Sequence, residues 1–547
     1  MASETNRLHP LSGAMMALRR GVNGLSIPVF LIGIVPTVLG IDADLAVDLL
    51  FVLAPLGFVV GVGYGLAYYY RFTYALTADT FDVTSGVFSR RAREIPYRRV
   101  QNVDVSQGIV QRLLGLAVVS IETAGGGSTE ATLQFVSNDE ADRVRSEIRR
   151  RTAALDDASD AAEGSAATDS VSETADKDVA EPQRDNGATR GDRSTTPLFE
   201  LEVGELLVYA ATAFRWGAAV FPILLVSLLL DADSGAGFVP DFVFETARTV
   251  GGPESIDGAP VHALLVLAAV AALQWFVATY VASALYTIVN YYGFRLGRQG
   301  NDLLYERGLL QRYSGSIPTD KIQSVTITDN PLQRLVGYAG LWVETAGYGP
   351  ESTGGNQSAV PMAAESRIYR FATALTGVDR PDFRGASPLA RRRYLVRYSL
   401  LAVGVVALAF GASRVTGLER WYLAAVVVAA APLAAHLKYV NIGYHVGDDH
   451  IVIRRGFWRR RTTVIPYYRV QTLSTRRSIF QRRLGLASLV VDTASSQTFT
   501  WSEPTIEDID LETARTLHET CGERLQTALR ERAGDDVGLS VEPGDRP

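Results

Sequence analysis

Three copies of one thirty-residue block constrain this chain more than any other feature. The block runs from Ile95 to Ala124 as IPYRRVQNVDVSQGIVQRLLGLAVVSIETA, and it returns without a gap from Ile317 to Ala346 and from Ile465 to Ala494. Because related sequences adopt related folds, the repetition predicts three similar domains. The length of 547 residues agrees, since one hydrophobic core rarely serves more than about 300 residues.

Apolar segments precede each copy in pairs. A transmembrane helix needs about 20 apolar residues to cross roughly 30 Å of hydrocarbon. Six segments approach that length: Val22–Gly40, Leu45–Tyr70, Leu206–Leu230, Val261–Tyr292, Tyr398–Ser413 and Trp421–Val440. Buried core helices are the alternative, but the pairing favours six transmembrane helices in three pairs. Tyrosine and tryptophan at several segment ends agree with rings at the headgroup level.

The placement of arginine predicts the orientation in the membrane. Arginines flank the segments on the side of the repeated blocks, at Arg19, Arg20, Arg71, Arg391, Arg392, Arg393 and Arg397. The loop from Asp231 to Pro260 instead holds six acidic residues and one arginine, although Arg414 and Arg420 in the last loop run against the pattern. Because basic residues favour the cytoplasmic side, we predict a multi-pass protein of the cell membrane with both termini and all three blocks cytoplasmic.

Each copy has the pattern of a small antiparallel β domain that ends in a helix. A glycine stands nine positions before each Ile-Pro, at Gly86, Gly308 and Gly456, which suits a hairpin turn with positive φ. A short helical turn is predicted to end at Gly115, Gly337 and Gly485. Amphipathic stretches such as DEADRVRSEIRR close the copies and predict one terminal helix each.

These motifs together resemble the bacterial pleckstrin-homology-like (PH-like) domain of the membrane-flanked, YdbS/YdbT-like proteins. The resemblance rests on the Ile-Pro, the final Glu/Asp-Thr-Ala, and two further motifs: Arg99–Gln101, Lys321–Gln323 and Arg469–Gln471, and Gln111–Gly115, Gln333–Gly337 and Gln481–Gly485. Members of that family alternate span pairs with such domains. The resemblance implies two packed, strongly bent sheets plugged by a C-terminal helix, and it implies no defined reaction.

The predicted fold class is a membrane protein of α + β type. Transmembrane pairs are assigned to residues 1–71, 198–293 and 379–440, and PH-like domains to 72–150, 294–378 and 441–533. Residues 151–197 hold eleven acidic and five basic residues and almost no large apolar one. Such a composition cannot offset the entropy of ordering, so we predict a disordered acidic linker there and a disordered tail over 534–547.

The copies differ most in charge. Matched thirty-residue windows carry a net charge of +4 (Thr84–Leu113), +1 (Glu306–Leu335) and +10 (Arg454–Arg483). Below an anionic leaflet each base gains about 1 kcal/mol, and guanidinium groups match phosphate. We therefore predict that the third domain binds anionic phospholipid headgroups through Arg454, Arg455, Arg459, Arg460, Arg461, Arg469, Arg476 and Arg477.

Phe457 and Trp458 lie between two of these arginine clusters, and their rings are predicted to insert into the membrane interface. A nucleic-acid surface has the same electrostatic footprint, but six spans favour lipid as the anion, so nucleic acid is not an expected partner. Pairing of the arginines with acidic faces of the other domains or with the acidic linker is the competing interpretation.

Residues identical in all copies are predicted to serve the fold. The arginine of Gln-Arg-x-x-Gly, such as Arg112, is expected to bond carbonyl groups or to pair with Glu122, Glu344 or Asp492. No catalytic, cofactor or metal-binding pattern is found: Cys521 is the sole cysteine, and the six histidines lack metal-ligand spacing. His445 and His450 are assigned to a hairpin turn.

Two function classes remain. One is a non-enzymatic membrane scaffold whose cytoplasmic PH-like domains bind lipid headgroups, peptides or each other, with a membrane or cytoplasmic protein as a further partner. The alternative is a transporter or an accessory subunit of a membrane transport or envelope-stress complex. A transporter places several ionisable groups within its spans, whereas Arg215 is the single candidate here, and its stem is long enough to snorkel. The scaffold is therefore favoured.

Overall fold

The computed structural model describes residues 5–39, 43–123, 131–166, 196–219, 241–256, 258–345, 358–416, 421–493 and 503–537. These residues form three units of the same design, in which a short strand precedes apolar helices, six further strands and a closing helix. The antiparallel sheets agree with the predicted α + β class.

The first unit contains three long helices, one short helix and seven strands. Its elements are β1 (Thr5–Arg7), α1 (Pro10–Leu39), α2 (Ala43–Arg71), β2 (Thr73–Leu76), β3 (Thr80–Ser85), β4 (Arg91–Pro96), β5 (Val100–Gln107), α3 (Ile109–Leu113), β6 (Leu116–Thr123), β7 (Ala131–Ser137) and α4 (Asn138–Ala166). Helices α1 and α2 pack closely at Gly24 and Gly57, because a Cβ on either glycine would overlap the other's carbonyl oxygen.

The second unit repeats this order. Its elements are β8 (Thr196–Glu200), α5 (Val203–Thr212), α6 (Asp241–Thr249), α7 (Val261–Tyr291), β9 (Arg295–Gln299), β10 (Asp302–Arg307), β11 (Arg312–Pro318), β12 (Ile322–Asp329), α8 (Pro331–Val336), β13 (Tyr338–Thr345), β14 (Ser358–Ala364) and α9 (Glu365–Thr376).

The third unit follows the same plan. Its elements are β15 (Arg384–Gly385), α10 (Pro388–Thr416), α11 (Val426–Val440), β16 (Gly443–Val446), β17 (His450–Arg455), β18 (Arg460–Pro466), β19 (Val470–Arg476), α12 (Ile479–Arg483), β20 (Leu486–Thr493), β21 (Thr505–Asp510) and α13 (Leu511–Val537).

The membrane-directed helices of each unit are inserted between the first and second strands of its β domain. Strand β1 pairs with β2, β8 with β9, and β15 with β16, each across the intervening helices. Each domain therefore has a four-stranded sheet and a three-stranded sheet. The sequence does not predict these first strands, because they are only two to five residues long and their partners are distant.

Sheets continue from one domain into the next. Strand β5 of the first domain pairs with β11 of the second, and β12 of the second pairs with β18 of the third. The result is two seven-stranded sheets, in the orders β7-β6-β5-β11-β10-β9-β8 and β14-β13-β12-β18-β17-β16-β15, between a terminal four-stranded sheet and a terminal three-stranded sheet.

The closing helix fills the space between the two sheets of each domain. In the first domain Val144 and Ile148 of α4 are fully buried against strand residues such as Leu116 and Leu133. Burying one such aliphatic side chain stabilises the fold by about 1.5–3 kcal/mol. In the third domain Cys521 of α13 takes the same role, so the sole cysteine is a core residue.

Within the described residues, four helices are long and apolar enough to cross a membrane: Asp48–Arg71, Val261–Tyr291, Pro388–Arg414 and Trp421–Val440. The predicted span from Val22 to Gly40 falls in α1. The predicted span from Leu206 to Leu230 is described only as far as Ala219, and its helix already ends at Thr212. Six spans in three pairs therefore stays a prediction.

The interruption after α5 has a local cause. The Ser283 hydroxyl accepts a hydrogen bond from the Arg215 backbone N–H at 2.9 Å and donates one to the Ala213 carbonyl oxygen at 3.0 Å, so α7 satisfies backbone groups that leave the helix. The Arg215 guanidinium donates to the Tyr209 hydroxyl and lies over the rings of Tyr286 and Tyr291.

Both ends of the linker predicted over residues 151–197 are corrected. Helix α4 continues to Ala166. At the predicted start of the linker, Arg151 lies over the Tyr97 ring and donates to its hydroxyl, and the Thr152 hydroxyl donates to the Tyr97 carbonyl oxygen. At the other end Pro197 lies in β8. Similarly, α13 extends to Val537, into the segment predicted as a tail. The remaining residues of both segments, 167–195 and 538–547, lie outside the described part of the chain.

Candidate functional site

A tight hairpin turn between β17 and β18 forms the centre of the candidate site. Gly456 has φ of +89°, and a Cβ there would lie 2.5 Å from the Arg459 carbonyl oxygen. Gly86 and Gly308 have φ of +109° and +108°, so the predicted positive-φ turns are confirmed. The predicted left-handed glycines that follow the short helices are confirmed as well, with φ of 66–72° at Gly115, Gly337 and Gly485.

This turn closes one side of a cavity of about 700 Å³ against the helices of the third unit. The apolar wall is formed by residues of α10 and α11, namely Tyr398, Ala430, Leu433, Ala434 and Leu437. The opposite wall is basic and carries Arg455, Arg459 and Arg461 together with Phe457 and Trp458. Lys438 and Glu507 complete the lining and form an ion pair at 2.9 Å.

The positive charges of the basic wall repel one another. Burial, together with the positive charges of Arg459 and Arg455, lowers the pKa of Arg461 to about 10. Burial also lowers the pKa of Arg455, although Glu507 and Glu344 oppose that shift. An anion in the cavity would relieve both the repulsion and the loss of hydration, so the wall is suited to bind negative charge.

The two aromatic residues at the tip of the turn have different surroundings. Trp458 is 79% exposed, and its ring meets that of Phe457 edge to face at a centroid distance of 5.1 Å. Phe457 is half-buried under the Arg334 guanidinium, 5.2 Å from the ring centroid. Arg334 also donates to the Phe457 carbonyl oxygen at 2.9 Å, so the second domain holds the turn in place.

Arg460 and Arg454, two of the predicted lipid ligands, are directed elsewhere. Arg460 donates from Nε and Nη2 to Oδ2 of Asp329 in the second domain, at 3.0 and 2.8 Å. The Arg454 guanidinium lies 3.6 Å from the ring centroid of Phe383. Both therefore join elements to each other.

The remaining predicted ligands also make protein contacts. Arg469 donates to the Asp320 carbonyl oxygen of the second domain, Arg476 forms an ion pair with Glu503 at 2.9 Å, and Arg477 donates to the Leu486 carbonyl oxygen at 3.2 Å. The structure thus brings three of the eight arginines together at the cavity, with the two aromatic residues beside them. Of the pairings with acidic faces of other domains that the competing interpretation anticipated, the structure shows Arg460 with Asp329. At the cavity, Arg455 also donates to the Glu503 carbonyl oxygen at 2.7 Å.

Two contributions were missed by sequence reasoning. The first is the apolar wall of the cavity, which comes from two predicted transmembrane segments. Lys438, one of the three lysines, lies at the end of the second of these segments and also lines the cavity. Asp329 entered the sequence analysis only through the net charge of its window, although the other copies have Gln107 and Arg477 at the same aligned position. Variation at one aligned position was the signal that could have identified it.

Comparison with known proteins agrees with this architecture. The sequence profile described as "Bacterial PH domain" matches the chain three times, at residues 28–152, 239–377 and 398–525. This chain belongs to the bacterial PH domain family. Its three bacterial PH domains confirm the resemblance derived from the repeated motifs.

Two transmembrane proteins of Bacillus subtilis (strain 168) are similar to this bacterial PH domain protein. The UPF0699 transmembrane protein YdbT is 23% identical over 539 residues, which cover 94% of this chain and 97% of YdbT. The UPF0699 transmembrane protein YdbS is 36% identical over 84 residues, which cover 15% of this chain and 51% of YdbS. No solved structure matches.

Proposed function

We propose that this protein is a non-enzymatic membrane scaffold whose third bacterial PH domain binds anionic phospholipid headgroups. The observation that carries the proposal is the cavity between the β17–β18 turn and the helices α10 and α11, with an apolar wall facing a wall of three arginines. A phospholipid has the same division, because its acyl chains are apolar and its phosphate is anionic.

The two walls assign the parts of the ligand. The phosphate would lie against Arg455, Arg459 and Arg461, and the acyl chains would follow Leu433 and Leu437 along α11. Trp458, at the tip of the turn, would place its exposed ring at the headgroup level. A free inorganic anion would use the basic wall alone, so the apolar wall favours a lipid.

The proposed topology places this cavity at the cytoplasmic leaflet. Six spans in three pairs, with both termini and all three bacterial PH domains cytoplasmic, follow from the arginine distribution of the loops. The cytoplasmic leaflet carries the anionic lipids that would attract the third domain, and the effect falls off within a Debye length.

Binding can be measured on the full chain in a neutral detergent, titrated with micelles that contain phosphatidylglycerol or phosphatidylcholine. We expect phosphatidylglycerol to bind more tightly and the difference to shrink at high salt. Replacing Arg459 and Arg461 by Gln should weaken phosphatidylglycerol binding about 30-fold, since each base near the surface contributes about 1 kcal/mol.

The matched control removes the same charge elsewhere in the domain. Arg515→Gln with Arg530→Gln changes two exposed arginines of α13, and this variant should bind phosphatidylglycerol like the unmodified protein. Inorganic phosphate should compete weakly, because it cannot use the apolar wall. Equal losses in both double variants would show a diffuse charge effect and would refute the assigned cavity.

A further inference from the structure

The two junctions between neighbouring domains are built in the same register. The first junction pairs Arg312 with Gln107, Tyr313 with Ser106 and Ser314 with Val105. The second junction pairs the residues at the same aligned positions, namely Arg460 with Asp329, Arg461 with Thr328 and Thr462 with Ile327. A register that recurs between different sequences is a property of the fold, so each domain carries two complementary edges.

A side-chain contact recurs at both junctions as well. Arg112 of the first domain donates to the Leu309 carbonyl oxygen of the second at 3.3 Å. Arg334 of the second domain donates to the Phe457 carbonyl oxygen of the third at 2.9 Å. These residues occupy equivalent positions in their copies, so the arginine of Gln-Arg-x-x-Gly acts between domains and not only within one.

The first and the third domain each have one edge strand without a neighbouring domain beside it among the described residues. Among the described strands, none pairs with the outer edge of β4 in the first domain or of β19 in the third. Gln471 and Thr472 of β19 are exposed, whereas the equivalent Gln323 and Ser324 of β12, which pairs with β18, are buried. Exposed strand edges are templates for pairing with another chain.

The charges at the two outer edges oppose pairing between copies of this protein. The last strand of the four-stranded sheet begins at or next to an arginine in every domain, at Arg90, Arg312 and Arg460. The position opposite is Gln107 in the first junction and Asp329 in the second, but Arg477 in the third domain. Like charges directly opposite each other destabilise a strand pair.

The adjacent pair would repeat the conflict, because Arg476 would face Arg91 in the shared register. Arg476 is partly neutralised by Glu503. The Arg477 guanidinium bonds a carbonyl group, which leaves its charge in place. Arg90 and Arg91 are exposed at the other end.

We propose that the outer edge of β4 is a docking site for the antiparallel β edge of a second protein that carries a carboxylate or a carboxamide opposite Arg90. Asp329 and Gln107 are the two side chains that this chain itself uses at that position. Arg477 keeps the third domain of another copy from occupying the site. Docking by main-chain pairing provides affinity, and the residue opposite Arg90 provides selectivity.

The chain itself supplies the probe. An Arg477→Asp variant presents a carboxylate at its third-domain edge, so its copies should assemble head to tail through Arg90, whereas the unmodified protein should stay monomeric. Sedimentation velocity of the full chain in detergent measures this. We expect the dissociation constant for self-association to fall by at least about tenfold, and the assemblies to weaken at high salt.

The Arg477→Asp substitution also removes the hydrogen bond from Arg477 to the Leu486 carbonyl oxygen, so a second variant that keeps this bond is needed. Arg90→Glu changes an exposed side chain and faces the unmodified Arg477, so it should assemble as well. The combined Arg90→Glu and Arg477→Asp variant restores a like-charge pair and should be monomeric. Monomeric behaviour of both single variants overturns the proposal. Self-association of the unmodified protein overturns it too.

Discussion

At the scale of single residues, Asp329 joins the second and third domains. It is 7% exposed and accepts hydrogen bonds from Arg334 at 2.9 Å and Arg460 at 2.8 and 3.0 Å. Arg334 in turn holds the carbonyl oxygen of Phe457. One carboxylate therefore connects the junction to the turn that forms the basic wall of the cavity.

We predict that Asp329→Asn costs about 2–4 kcal/mol of the free energy of unfolding. The substitution keeps the shape but leaves two poorly hydrated guanidinium groups without a counter-charge, and the figure is reduced because both arginines reach some solvent. Chemical denaturation in detergent measures it. Glu365→Gln, which breaks the exposed pair with Arg380, should cost less than about 1 kcal/mol. Equal costs would contradict the role of the junction.

The turn residues were predictable and Asp329 was not, for a physical reason. The positive φ of Gly456 is a local property of the backbone, so glycine at this position in the sequence is enough to predict the turn. The role of Asp329 depends on Arg460, 131 residues away, through a sheet shared between domains. The same holds for the cavity: the arginine cluster is local in sequence, but its apolar wall belongs to separate helices.

At the scale of elements, the strand that precedes each helix pair belongs to the β domain that follows the pair. Phe199 of β8 is 3% exposed and packs between Phe294 and Phe371, at centroid distances of 6.1 and 6.2 Å. The Arg367 guanidinium lies 4.6 Å from its ring. The second domain thus depends on a residue that the sequence analysis placed at the start of a transmembrane segment.

We predict that Phe199→Ala destabilises the second domain by about 3–5 kcal/mol, through lost burial and an incompletely filled cavity. Phe88→Ala removes the same side chain at a site that is 92% exposed and should cost less than about 1 kcal/mol. Thermal unfolding of the purified chain compares the two. Similar melting temperatures for both variants would show that β8 does not complete the domain.

The alternation of apolar and polar residues predicted the inner strands, but it did not predict the short first strands. Strand β15 has two residues and β1 has three, too few for a period of two to be visible. The linker boundary failed for a related reason, since the composition of residues 151–166 is polar while their helix is anchored by Arg151 and Thr152 on Tyr97.

At the scale of the whole molecule, three bacterial PH domains form a chain of shared sheets, and the helix pairs enter it between first and second strands. Because strands of neighbouring domains pair with each other at both junctions, all three domains must lie on the same side of the membrane. The proposed lipid cavity and the β4 docking edge then lie on that same side, which we predict to be the cytoplasmic one.

Cysteine labelling in intact cells tests this central claim most directly. Cys521 is buried, so Cys521→Ala provides the background for Asp79→Cys in the first domain, Glu519→Cys in the third and Glu254→Cys in the loop before α7. We predict that a membrane-impermeant maleimide labels the Glu254 variant in intact cells, and the Asp79 and Glu519 variants only after permeabilisation. Labelling of the Asp79 or the Glu519 variant in intact cells would contradict a single cytoplasmic array.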